Sequence, residues 1–105
     1  MAILTYANMA DMRAIAIGHL RSALRWVRAS RRVSVASRSE YAALALGQYR
    51  TARGMLRVLA RIDPAGCAHV VRRTAIVARV VDDALRSASD GVRVAIYGGD
   101  PLASP

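Results

Sequence analysis

The chain contains no lysine and no phenylalanine, one cysteine, three prolines and seven acidic residues among 105 positions. Each shortage excludes something. A single thiol, Cys67, rules out an internal disulfide and makes the reducing cytoplasm the expected location. His19 and His69 are the only histidines, and with one cysteine they offer no usual ligand spacing, so no metal or other cofactor is expected. The acids are few and committed: Asp63 reads as a helix cap, Asp82 and Asp83 as ion-pair partners, Glu40 as a helix-start residue. No phosphate-binding loop, nucleophile elbow or dinucleotide fingerprint occurs. Arginine interrupts every apolar run, well short of the roughly 20 apolar residues that span a bilayer. The chain therefore reads as a non-catalytic protein with no transmembrane segment.

What is abundant is arginine. All sixteen basic residues are arginine and the formal net charge is +9, which favours nucleic acid, an acidic protein surface or another anionic partner. Choosing arginine over lysine fits a GC-rich coding background, but codon usage does not explain the excess of charge. Hydrophobic residues make up 54%, enough for the core of one domain.

Periodicity predicts an all-α domain of three helices over about 9–29, 39–61 and 64–88, a helical hairpin plus one, with an extended tail over 89–105. In the first helix, Met9, Met12, Ile15, Ala16, Ile17, Leu20, Ala23, Leu24, Trp26 and Val27 form a wide apolar arc opposite Arg21, Arg25 and Arg28. An arc that wide can also serve a second copy, so a homo-oligomer is expected and a structural oligomer is one reading. Asn8 or Thr5 could cap this helix. The first 38 residues have the Arg- and Ser-rich composition of a transit peptide, but the same segment reads as a packed helix.

The connection "RASRRVSVASRS" is the most basic in the chain, with Arg28, Arg31, Arg32 and Arg38. A second helix starting near Ser37 or Ser39 would bury Tyr41, Leu44, Ala45, Gln48, Tyr49, Ala52, Met55, Leu56, Leu59 and Ala60. Its opposite side carries Arg50, Arg53, Arg57 and Arg61, spaced three, four and four, with no acid among them. That column spans about 16 Å at 1.5 Å per residue, the scale of a few backbone phosphates. Gly47 and Gly54 lie beside it, either as tolerated helix glycines or to let another backbone approach. Trp26, Tyr41 and Tyr49 fall on apolar arcs and read as core rather than base-stacking platforms. His19 and Cys67 read as core residues too.

In "IDPAG", Asp63 caps a third helix with Pro64 at its first position. Cys67, Val70, Val71, Thr74, Val77, Ala78, Val81 and Leu85 then recur at helical spacing, while Arg79 with Asp83 and Asp82 with Arg86 form opposite-charge pairs four apart. After "SDG", Val92, Val94 and Ile96 alternate with Arg93, Ala95 and Tyr97, which predicts a strand that pairs with residues 2–7, a second copy or a partner.

The segment "CAHVVRRTAIVARVVDDA" followed by "GVRVAIYGGD", about a third of the chain, resembles the end of small phage-encoded anti-CRISPR proteins of the type I-E class. The resemblance implies an all-helical, dimeric, non-catalytic inhibitor that docks on a larger protein in a bacterial host, and it carries no site residue over. The residues themselves favour a different partner. Arg50, Arg53, Arg57 and Arg61, helped by Arg21, Arg25, Arg28, Arg31 and Arg32, are expected to dock nucleic acid or a nucleoprotein. Phosphate contacts of this kind read little sequence.

Overall fold

The computed structural model describes the backbone of residues 6–96 and the side-chain surroundings of residues 8–89. It is a bundle of three helices, α1 (Tyr6–Ser30), α2 (Val35–Ile62) and α3 (Pro64–Ile96). No strand occurs among the described residues. The bundle is a rod, 56 × 23 × 20 Å, because each helix runs most of its length.

The core is narrow. Ala16, Ala23, Ala42, Ala45 and Ala52 have no exposed surface, and Leu20, Val27, Leu56, Leu59, Cys67, Val70 and Val81 fill the space between them. Alanine at a helix contact draws the axes toward the short end of the usual 8–10 Å, roughly. Burial of each larger aliphatic chain then contributes about 1.5–3 kcal/mol. Trp26 of α1 and Tyr41 of α2 close one end of the hairpin edge to face, with ring centroids 5.5 Å apart at 83°. Further along the same interface, His19 Nδ1 donates to Gln48 Oε1 at 2.6 Å, which gives this histidine a packing role.

The sequence places several elements differently. α1 ends in short-range bonds, Arg31 N–H to the Arg28 carbonyl and Arg32 N–H to the Ala29 carbonyl, and α2 begins at Val35. The connection is therefore four residues long, and Glu40 lies in the second turn of α2 rather than its first. Ser34, Ser37 and Ser39 all suit a cap. Ser34 takes the position because its backbone is extended, φ −60° and ψ 155°, and Ser37 N–H closes onto its carbonyl. Asn8 sits inside α1, and Thr5 lies outside the described residues.

The largest correction concerns the expected strand. Val92, Val94 and Ile96 lie on helical backbone, and α3 runs eight residues past the expected end at 88. The helical repeat explains this: Val81, Ala84, Leu85, Ala88, Val92, Ala95 and Ile96 follow one another at steps of three, four or one. Gly91 costs about 1 kcal/mol relative to alanine, too little to end a long packed helix. The remainder of the expected tail, 97–105, lies outside the described residues.

At the α2/α3 junction a single residue, Asp63, separates the helices. Its Oδ1 accepts from the Gly66 N–H at 3.0 Å, and its carbonyl accepts from the Cys67 N–H. Arg13 of α1 reaches across: Nη1 donates to the Gly66 carbonyl at 2.9 Å and stands 3.8 Å from Asp63 Oδ2. Sequence reasoning passed over Arg13, although its place in the series Met9, Arg13, Ala16, Leu20 sets it within the apolar arc. A Cβ on Gly66 would run into the Asp63 carboxylate and the Arg13 guanidinium.

Stability should follow that geometry. Asp63→Ala is expected to cost about 1–2 kcal/mol, the usual worth of a strong N-cap. Gly66→Ala should destabilise the native chain and cost clearly less in the Asp63→Ala background, where only the Arg13 guanidinium remains in the way. Gly18→Ala, with open space around it, should raise stability by about 0.5–1 kcal/mol. Thermal unfolding of the four variants checks this, and equal effects of Gly66→Ala in both backgrounds would count against the clash.

Candidate nucleic-acid interface

Arg50, Arg53, Arg57 and Arg61 are all exposed on α2, on the side that faces neither α1 nor the core. Among the described residues, none of the four has an acidic partner within 4.0 Å. The two ion pairs there are Arg13–Asp63 and Arg86–Asp82, the latter closed at 3.0 Å. The other pair expected on α3, Arg79 with Asp83, is not closed. Residues 41–62 contain no acid at all. The four guanidinium groups therefore repel one another along the helix by a few tenths of a kcal/mol per pair, about, and no ion pair among the described residues offsets it.

One member of the column is held. Arg53 lies over the Tyr49 ring, its Cζ 5.7 Å from the centroid, and Tyr49 is half-buried against the core. This cation–π contact narrows the rotamers of Arg53. Arg53 and Arg57 also border a shallow groove between α2 and α3, about 380 Å³, floored by Leu56, Ala60, Val71 and Thr74. Val71, one of the apolar positions at helical spacing in α3, is 45% exposed on this groove.

Arg21, Arg25 and Arg28 are exposed on α1, and Arg31 and Arg32 occupy the turn that follows. They do not extend the α2 column. Arg21 with Arg73 borders a small groove between α1 and α3, of about 140 Å³, beside Leu24 and Ile76. Arg25, Arg28 and Arg32 surround a separate concavity of about 400 Å³ with Ala29 and Val33. Arg31 joins Arg38, Ser30, Asp83 and Ser87 around a polar cleft of about 290 Å³, in which the Arg38 Nε is buried without a hydrogen-bond partner. The structure thus divides the nine arginines expected at one site into a linear face on α2 and three smaller clusters.

The other candidates for chemistry are placed as packing residues. Cys67 is 1% exposed in the core, and no group of three or more His, Cys, Asp or Glu side chains among the described residues could hold a metal ion. No described helix is long and apolar enough to cross a membrane. Comparison with protein-family models, with curated proteins and with solved structures gave no match for this chain.

The burial of Cys67 has a direct readout. The thiol should resist an aromatic disulfide reagent in the native protein and react at once after denaturation, since a core thiol is reached only through opening. Fast reaction of the native chain would place Cys67 on the surface.

Proposed function

We propose that this is a non-catalytic binding protein that docks the phosphate backbone of nucleic acid along the arginine face of α2. The observation that carries the reading is the column itself: four exposed guanidinium groups on one rigid helix, over about 16 Å, with no acid among the described residues to neutralise them. Such a column gains by meeting closely spaced negative charge. The planar fork of each arginine suits the oxygens of a phosphodiester. Contacts of this kind fix register on a duplex or strand and discriminate little between sequences. The smaller clusters on α1 and its turn add general attraction at the other end of the rod, a long-range effect that salt screens.

A phage-type inhibitor of a larger protein is the alternative suggested by the sequence resemblance. Its strand-mediated form lacks support in a chain whose Val92 to Ile96 segment is helical, and it would have to use helix faces instead.

Fluorescence anisotropy with labelled duplex DNA and single-stranded RNA separates these readings. With about four phosphates neutralised, affinity should fall as roughly the −3.6 power of salt, about 100-fold between 50 and 200 mM. Arg53→Glu with Arg57→Glu should weaken binding at least tenfold with the helical circular dichroism unchanged. Absence of binding at 50 mM salt, or equal affinity of the reversed variant, would remove nucleic acid from consideration.

A further inference from the structure

α2 has a second exposed face that neither neighbouring helix covers. Leu44, expected in the core, is 44% exposed and Val58 49%. Between them lie Gly47, Thr51 and Gly54, all exposed. Positions 44, 47, 51, 54 and 58 step by three and four, the spacing of a coiled-coil seam. None of these five is charged in a chain with sixteen arginines. Among the described residues, apart from the neighbouring backbone of α2 itself, no heavy atom lies within 4 Å of where a Cβ would stand on Gly47 or Gly54, so neither glycine serves a close approach there. The Thr51 hydroxyl donates to the Gly47 carbonyl at 3.0 Å, so the one polar side chain of the seam is satisfied without solvent.

The seam also reads alike from both ends. Leu44 stands seven residues before Thr51 and Val58 seven after; Gly47 stands four before and Gly54 three after. Beyond the apolar pair, Glu40 lies eleven residues before Thr51 and Arg61 ten after, both exposed. A chance apolar strip has no reason to pair large with large, small with small and acid with base about its own middle.

We infer that a second copy of this chain covers this face, with α2 packed antiparallel on α2 about a two-fold axis at Thr51. The contact is isologous. Leu44 of one copy meets Val58 of the other, the two glycine positions oppose each other and let the backbones close in, and Glu40 faces Arg61 across each end. The axis stands perpendicular to both helices, so both Arg50 to Arg61 columns lie on one side of the dimer. The inference does not depend on what those columns bind. One helix pair is a small interface, at the low end of about 1,200 Å² or less, so the dissociation constant belongs in the micromolar range.

Sedimentation equilibrium over about 5–500 µM protein tests this, the range in which such an affinity is visible. The apparent mass should rise from 11.3 kDa toward twice that value. Gly47→Leu with Gly54→Leu puts each new Cβ into open space; with the helical circular dichroism unchanged, dimerisation should weaken at least tenfold as the helices are propped apart. Thr51→Cys should oxidise to a covalent dimer, and Glu40→Cys alone should not; Glu40→Cys with Arg61→Cys should. A monomer throughout the range would overturn the inference. So would a dimer indifferent to both leucines, or efficient self-linking of Glu40→Cys, which belongs to parallel helices.

Discussion

The rest of the structure depends on how near the helices stand. Five alanines with no exposed surface line the contacts of α1 and α2, and a contact built on methyl groups leaves room for few large side chains. A chain that is 54% hydrophobic then has more apolar residues than its narrow core can take. Ile15, Leu44, Val58, Ile62, Val71 and Ile76 remain outside as a result, each more than two-fifths exposed. The same narrowness makes the molecule a rod, which gives each helix long faces turned to solvent. Both the arginine column and the uncharged seam on α2 follow from that shape.

Charge is distributed by position along the rod. Asp63 and Glu40 stand at or near helix ends and Asp82 and Asp83 sit beyond the middle of α3, whereas the stretches 12–33, 41–62 and 64–81 contain no acid. The central length of the bundle is therefore positive on every helix. Arg13 turns inward, and it does so where two backbone ends and a carboxylate can receive it. An arginine at that junction ties all three helices together through one side chain, while the exposed arginines contribute little to folding and much to the field around the molecule.

Local signals in the sequence were strong where one residue type had one structural use. Asp63 and Pro64 mark the α2/α3 boundary because a cap and a first-turn proline allow little else. The start of α2 was misread because three serines compete there and only the backbone selects among them. Val92, Val94 and Ile96 fit both a period of two and, with Ala88 and Ala95, a helical period; three alternations could not outweigh a helix already formed upstream. Leu44 was read as core, and Ile15 and Val71 were set on apolar arcs, because an apolar arc shows which side of a helix is greasy, not how much of it two neighbours cover. The arginine column was visible at once from its spacing. Its separation from the clusters on α1 was not, since that depends on which groove each helix borders. Arg13 has its partners fifty residues away, beyond any local pattern.

The one-residue reversal between α2 and α3 has a consequence for how the chain avoids misassembly. If α2 and α3 ran on as a single helix, each would dock on a second molecule and the two chains would exchange halves, a domain swap. Pro64 stands in the way. At the start of α3 its missing N–H is harmless, but in the interior of a fused helix it would leave the Ala60 carbonyl without its donor and drive its ring into that turn, at about 3 kcal/mol or more. The residue that begins the third helix is thus also the one that keeps the second from continuing into it.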